Sequence, residues 1–315
     1  MLAAWQVLVI AVAAVSAIAA WVWRVHGRRA ALVMLAFSAA SLLCVWIAYE
    51  VVPVESWRRG NLLRSLAVFA LPGLAATAVA IALVLRGSTP RGRLLLPWRA
   101  WLYLACLWAT PAVLLWVTQL APFTTASVAD VSFANSMWWA ATSIGVYVAV
   151  PVLYAVTVRQ RVRSYGLSLG FVKSEGILIA LIAPVMIVLV WLVSADSRFQ
   201  AVYPFYDYES GGDNAIVKLL LFEAAYGATF VALEFFFRGF LVFAGSPVLG
   251  IHAVPAMAFA YCLLHLGKPL PECASSLIGG LILGYVALRV RSIAAGVVAH
   301  LTIAWGMDAF VVGRS

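Results

Sequence analysis

Charged and titratable residues are scarce in this sequence. Of its 315 residues, 21 are Lys or Arg, 12 are Asp or Glu and 4 are His. Charged residues make up 10% of the chain and hydrophobic residues 65%, whereas a soluble domain carries about 25% charged residues. This excludes a soluble globular protein. A charge at membrane depth costs about 3 kcal/mol or more unless it is paired or hydrated, so each acid or histidine inside an apolar run is a candidate functional residue.

Cysteine is also scarce, and its pattern excludes two classes of protein. The four cysteines, Cys44, Cys106, Cys262 and Cys273, are scattered within or beside apolar runs, which predicts neither a disulfide framework nor a paired metal knuckle. We interpret them as core residues. A thiolate nucleophile at Cys262 is the alternative that its spacing of three residues before His265 leaves open.

The net charge of +9 comes mainly from basic residues in the breaks between apolar runs. Such a distribution sets membrane topology, so no nucleic-acid partner is predicted. The first apolar run begins at Met1 without a preceding positive charge or a small-residue cleavage site, and we expect it to remain as a membrane helix. The distribution of basic residues predicts both termini outside.

Repeated apolar runs predict an all-α, polytopic transmembrane bundle. Each crossing needs about 20 apolar residues, which gives about ten membrane helices. They are predicted near 4–23, 30–52, 63–86, 99–121, 137–158, 175–195, 215–245, 249–266, 274–289 and 292–311. The predicted partners are therefore the lipid bilayer and a membrane-associated protein or peptide.

The two halves of the chain differ in the residues that their apolar runs contain. Residues 1–160 are predicted to form about five anchoring crossings, because their runs contain mainly scattered hydroxyl groups. Residues 161–315 are predicted to form the functional core, because ionisable residues lie within their runs. These residues are Glu223, Glu234, Arg238, His265, His300 and Asp308.

Four of these residues form a pattern that suits hydrolysis. Glu234 and Arg238 are spaced i to i+4, so they share one helix face and can pair in a medium of low dielectric. His265 and His300 lie on two later apolar helices. Hydrolysis of an amide needs a base for water, a group that polarises the carbonyl and an acid for the leaving amine. An ion pair that only pins the helix is the structural alternative.

At these residues the sequence resembles the CPBP family of intramembrane proteases. This family includes the CAAX prenyl endopeptidases and bacteriocin-processing or self-immunity proteins. The resemblance covers about residues 165–312, and its main supports are the stretches at 234–239, 261–269, 279–284 and 291–300. It implies a peptidase in a bacterial or archaeal cell membrane.

The family's motifs match this sequence in part. Its Glu-Glu-x-x-x-Arg motif places the second Glu at Glu234, the Arg at Arg238 and Leu233 at the first Glu, which in the family is usually taken to activate water. Its aromatic-x-x-x-His motif is met by Tyr261 and His265, with Tyr for the commoner Phe. The third motif, His-x-x-x-Asn, has His300, but Ala304 replaces the Asn.

Asp308 is the predicted substitute for the missing polar group. It lies eight residues after His300, two turns along the helix and about 80° round it, so it could face the same cavity. Glu272 is a weaker candidate, since two prolines separate it from His265.

The predicted helices also raise a geometric question. If 215–245 and 249–266 were straight spanning helices, Glu234 and His265 would lie on opposite sides of the membrane. Either the first segment bends or projects, for example at Gly227, or the second does not span.

The sequence thus predicts an intramembrane endopeptidase that cleaves near the C-terminal end of a membrane-associated substrate. Glu234, His265 and His300 are the predicted catalytic residues, with Arg238, Tyr261 and Asp308 in support. No cofactor is favoured. If zinc were present, His265, His300 and Glu234 would be its ligands. A catalytically impaired relative that acts as a scaffold or immunity protein is the alternative, and a transporter is a third class.

Overall fold

The computed structural model describes residues 4–51, 73, 97–118, 120, 122–124, 128–167, 173–200, 203–206, 214–266, 268 and 270–314. Within them the fold is all-helical, and no β-strand occurs in this part of the chain. The helices are α1 (Ala4–His26), α2 (Arg28–Val51), α3 (Trp98–Thr118), α4 (Val128–Val158), α5 (Lys173–Val193), α6 (Ser197–Gln200), α7 (Ala215–Glu234), α8 (Val242–Leu249), α9 (Ala253–Leu263), α10 (Leu270–Val290) and α11 (Ala294–Val312). A π-helical turn (Phe235–Leu241) joins α7 to α8, and short 3₁₀ turns occupy Val162–Ser164 and Gly250–His252.

Six helical segments of the described residues are long and apolar enough to cross a membrane, which indicates an integral membrane protein. A helix satisfies its own backbone hydrogen bonds, as a lipid environment requires. The predicted count of about ten crossings is not confirmed. The run predicted at 63–86 lies outside the described residues except for residue 73. The runs predicted at 215–245 and 249–266 are joined by short helical turns and count as one segment. The six segments are Arg28–Glu50, Trp98–Thr118, Asp130–Val158, Ala215–Leu263, Glu272–Val290 and Ala294–Val312.

Helix α9 is the most completely buried α-helix between residues 214 and 314. Every residue from Ala253 to Leu263 is buried, as expected for a helix that is apolar all round. It packs against α2, α3, α8, α10 and the π-helical turn. Its 11 residues extend only about 16 Å, which is too short to cross a hydrocarbon core of about 30 Å.

The short α9 answers the geometric question raised by the sequence. Gly250, at φ +59°, ends α8 in a left-handed conformation that favours glycine, and α9 follows. Because α9 does not span, its C-terminal end can lie beside the end of α7. Tyr261 and Glu234 can therefore meet at one depth.

The π-helical turn is closed by contacts from both halves of the chain. The hydroxyl of Tyr103, on α3, donates to the carbonyl of Leu241 at 2.8 Å. Gly239 lies against the backbone of Tyr165, and a Cβ added at 239 would lie 2.6 Å from the Tyr165 carbonyl oxygen. Glycine is therefore required at position 239, because a side chain there would collide with the backbone of Tyr165. π-helical turns occur frequently at functional sites, and Arg238 lies within this one.

Candidate active site

Glu234 and Arg238 form a buried ion pair at the end of α7. Nη1 of Arg238 lies 3.0 Å from Oε1 of Glu234, and the two side chains are 1% and 0% exposed. The pairing that the i to i+4 spacing predicted is therefore present. Burying two opposite charges as a pair costs less free energy than burying either charge alone.

His300, on α11, is the second partner of the same carboxylate. Its Nδ1 lies 2.6 Å from Oε1 of Glu234. The two atoms are close but not aligned as a hydrogen bond. Because a carboxylate accepts and does not donate, this contact favours the tautomer with the proton on Nδ1. The ring of Phe230 stacks on the imidazole at a centroid distance of 5.5 Å and an interplanar angle of 13°. Glu234 and Phe230 together fix the plane of the His300 ring.

The other nitrogen of His300 meets the hydroxyl of Tyr261, at 2.9 Å. An imidazole ring whose single proton is on Nδ1 has its lone pair on Nε2. In that tautomer Nε2 of His300 accepts from the Tyr261 O–H. The result is a continuous chain of contacts from Glu234 through His300 to Tyr261.

Tyr261 is held by further contacts on its ring. The guanidinium carbon of Arg238 lies 4.3 Å from the ring centroid, a cation–π distance. Phe237 meets the ring edge to face at a centroid distance of 5.2 Å. Arg238 thus contacts two members of the chain, the carboxylate of Glu234 and the phenol of Tyr261.

His265 lies beside this chain, in the turn that follows α9. Its Nδ1 is 3.1 Å from the Tyr261 carbonyl oxygen, and its ring centroid is 4.8 Å from that of Tyr261. Since a carbonyl only accepts, the proton is on Nδ1, and Nε2 carries the free lone pair. Burial, followed by the positive charge of Lys268, lowers the pKa of His265 to about 3. The imidazole is therefore neutral near pH 7.

This low pKa predicts a pH dependence of stability. Above pH 6.5, the ordinary value for histidine, neither the folded nor the unfolded state protonates His265. Between pH 6.5 and about 3 only the unfolded state takes up the proton, so this residue lowers the folded-to-unfolded ratio by up to about tenfold per pH unit as the pH falls. We expect His265→Gln to lose less unfolding free energy than the native protein between pH 7 and pH 5, measured by chemical unfolding in micelles. Equal losses would contradict this.

The turn that carries His265 is attached to the N-terminal half of the chain. The hydroxyl of Tyr49, on α2, reaches the carbonyl oxygen of Lys268 at 2.5 Å and that of His265 at 3.3 Å. Lys268 also pairs with Glu272 at 2.6 Å on the partly exposed side of the turn. Glu272 is therefore engaged in an ion pair at the surface, which agrees with its being the weaker candidate from the sequence.

Apolar packing surrounds the two positions where the family pattern has polar groups. Leu233 is buried in the main hydrophobic core. Ala304 is 1% exposed and packs in a second apolar cluster with Tyr206, Phe222 and Tyr226.

Asp308 lies in a different environment from the one that the sequence predicted. Its Oδ1 accepts the backbone N–H of Phe205 at 3.1 Å, and its side chain lies within hydrogen-bonding reach of Glu223. It is about 12 Å along the helix axis from His300. Asp308 forms a carboxyl pair with Glu223, and its supporting role at the site stays a prediction.

The proposed zinc ligands do not fit a metal in this arrangement. Nδ1 of His300 faces Glu234 and Nε2 faces Tyr261, so this imidazole has no free lone pair. In the described part of the chain, no group of three or more His, Cys, Asp and Glu side chains is arranged to hold a metal ion. Cys262 also lies away from the chain of contacts, with its Sγ 3.8 Å from that of Cys273.

Two features of the site were missed by reasoning from the sequence. The first is the hydroxyl of Tyr261, since the motif asks only for an aromatic residue. Its replacement of the usual Phe was the available signal. The second is Gly296, where an added Cβ would overlap the Glu234 carboxylate. The signal there was a glycine four residues before His300 on the same helix face.

The fold and the site together define a class of protein. It is a membrane protein in which a carboxylate, two imidazoles and a phenol cluster among buried helices. Hydrolases use this set of groups. Residues 215–306 match the family model described as type II CAAX prenyl endopeptidase Rce1-like. The match confirms the predicted resemblance over this part of the chain and supports a member of the CPBP family. The matched residues include Glu234, Arg238, Tyr261, His265 and His300, whereas Asp308 lies just beyond them. Comparison with curated proteins and with solved structures gave no significant match.

Proposed function

We propose that this protein is an intramembrane endopeptidase that hydrolyses a peptide bond near the C-terminal end of a membrane-associated protein or peptide. One observation carries the proposal: Nδ1 of the His300 imidazole lies 2.6 Å from the carboxylate of Glu234, and both residues lie within the matched CAAX-type domain. A carboxylate that faces Nδ1 stabilises the imidazolium that forms when Nε2 accepts a proton. His300 is therefore suited to act as the general base.

The contacts favour a division of roles that differs from the one drawn from the sequence. From the sequence alone, Glu234 assisted by His265 is expected to activate water, and His300 and Arg238 are expected to stabilise charge or structure. Glu234, however, is 0% exposed and already contacts Arg238 and His300 through Oε1. In our proposal Glu234 orients His300, Arg238 fixes Glu234, and the neutral His265 holds the attacking water through its free Nε2.

The proposed substrate follows from the surroundings of the site. Glu234 and His300 lie within apolar segments that are candidate membrane spans, and the family model names CAAX endopeptidases. A substrate must then reach the site from the bilayer. We therefore propose a membrane-associated protein or peptide, cleaved close to its C-terminus.

Replacement of His300 tests this function. We expect His300→Ala to reduce cleavage by about 100-fold or more, the usual contribution of a general base, while the protein still accumulates in the membrane. The measurement compares the C-termini of membrane proteins, by mass spectrometry, in cells that produce the native protein or the variant. His26→Ala is the matched control, because His26 is exposed at the end of α1. Identical sets of C-termini from native and His300→Ala cells would reject the proposal.

A second candidate function is motivated by Leu233 and Ala304, which are apolar where the family pattern is polar. It is a membrane scaffold or immunity protein that binds a partner without cleaving it. Capture of the same partner by the native protein and by His300→Ala, with no cleavage by either, would favour it.

A further inference from the structure

Tyr261 is the last residue in the chain of contacts that runs from Glu234 through His300 in the candidate active site. Oε1 of Glu234 and Nδ1 of His300 are 2.6 Å apart, and Nε2 of His300 and the Tyr261 hydroxyl are 2.9 Å apart. The second contact is a hydrogen bond, and the first is a close ion-pair contact. The proton on the phenol therefore points to His300, and the lone pairs of the phenolic oxygen remain available for another donor.

The Tyr261 hydroxyl covers the nitrogen that the proposed function assigns as the base. Nδ1 of His300 faces Glu234 and Nε2 faces the phenol, so both nitrogens are occupied. A water molecule that gives up a proton to His300 must then do so through the phenolic oxygen. Glu234 is fully buried, whereas Tyr261 and His300 keep 6% and 8% of their surface exposed, so these two residues are the members of the chain of contacts that a water molecule can approach.

The neighbouring groups compete poorly for the same task. His265 has a free Nε2, but its pKa of about 3 makes it a weak proton acceptor near neutral pH. Glu234 has no exposed surface. Arg238 carries a positive charge 4.3 Å from the Tyr261 ring, which stabilises negative charge that develops on the phenolic oxygen during proton transfer.

We propose that Tyr261 is a catalytic proton relay, a role that rests on the proposed endopeptidase function. As the water oxygen bonds to the substrate carbonyl carbon, one water proton passes to the Tyr261 oxygen while the phenolic proton passes to Nε2 of His300. The imidazolium is then balanced by Glu234. When the C–N bond breaks, the proton returns from His300 through the Tyr261 oxygen to the leaving amine nitrogen. Every group regains its starting protonation, and the products are an acid and an amine.

The relay also accounts for two positions near Glu234, Leu233 and Tyr261, at which this sequence differs from the family pattern. Leu233 removes the carboxylate that the family uses on water, and Tyr261 adds a hydroxyl where the family has mainly phenylalanine. A hydroxyl connected to a carboxylate through an imidazole can accept a proton from water. We therefore interpret the loss at 233 and the gain at 261 as a replacement of one proton acceptor by another.

The test uses purified native protein and variants in micelles, mixed with membranes from cells that produce His300→Ala as the source of uncleaved substrates. Released C-terminal peptides are followed over time by mass spectrometry. We expect Tyr261→Phe to cleave about 100-fold more slowly or worse, the range for loss of a proton-transfer group, although phenylalanine preserves the packing. Tyr147→Phe is the matched control, since Tyr147 is buried nearby against Phe237, and it should cleave at the native rate.

A second variant separates proton transfer from packing. A fluorinated tyrosine at position 261, which has a more acidic phenol, should move the pH–rate profile to lower pH. Native cleavage by Tyr261→Phe would overturn the relay and leave the proposed function intact. An unshifted profile for the fluorinated protein would also overturn it, because Tyr261 would then act only by packing. Absence of cleavage by the native protein would reject both proposals.

Discussion

Replacing Glu234 with leucine is expected to remove most folded protein from the membrane. Arg238 is 1% exposed and its only ion-pair partner among the described residues is Glu234, so the variant leaves a buried guanidinium without a balancing charge. Breaking a buried pair from one side costs about 3–5 kcal/mol, which is a large part of the stability of a typical protein. The measurement is the amount of membrane-extracted protein that elutes as a single species, together with its thermal unfolding temperature.

A double variant shows whether the uncompensated charge is the cause. Arg238→Met in the Glu234→Leu background removes the guanidinium and keeps a side chain of comparable length, and exchanges of this kind are often neutral for stability. We expect folded protein to return while cleavage does not, because His300 has lost its carboxylate. If the double variant were as poorly folded as the single one, the ion pair would not be the source of the instability.

Replacing Gly296 with alanine is expected to damage the site from the opposite helix. The new Cβ would overlap Oε2 of Glu234 and lie 2.7 Å from its Cδ, so the carboxylate must move away from His300 or α11 must shift. Overpacking of this kind costs about 1–3 kcal/mol. Loss of the 2.6 Å contact should in addition lower cleavage by about 100-fold, since His300 would no longer be oriented.

Gly279, on α10, is the matched control for this substitution. A Cβ at 279 would meet nothing within 4 Å, and alanine is favoured over glycine in a helix by about 1 kcal/mol. Gly279→Ala should therefore unfold at the same temperature as the native protein or a higher one, with native cleavage. If Gly296→Ala behaved like Gly279→Ala in both respects, the close contact between Gly296 and Glu234 would be unimportant.

Local features of the site were predictable from the sequence. The Glu234–Arg238 pair follows from the i to i+4 spacing on one helix, and the helical character of the core follows from its apolar runs. The ends of α2, α5 and α11 lie within a few residues of the predicted runs. These features depend on residues close together in the chain, where spacing alone determines the geometry.

Contacts between helices were not predictable in the same way. The sequence indicated that His300 belonged to the site, but it did not show which nitrogen faces Glu234 or that Tyr261 covers the other. The π-helical turn has no distinct periodicity, since its residues are apolar apart from Arg238. Asp308 illustrates the limit well: its angle round the helix was compatible with the site, but its partner is Glu223 on a neighbouring helix.

The contacts of Tyr49 and Tyr103 give the N-terminal half more than an anchoring role. Tyr49 donates to the turn that carries His265, and Tyr103 donates to the end of the π-helical turn that carries Arg238. The matched domain, residues 215–306, contains the candidate site residues but neither of these donors. The structural unit that supports the candidate site therefore includes α2 and α3. A protein engineer who transplanted the matched domain alone would leave three carbonyl acceptors beside the site without their phenol donors.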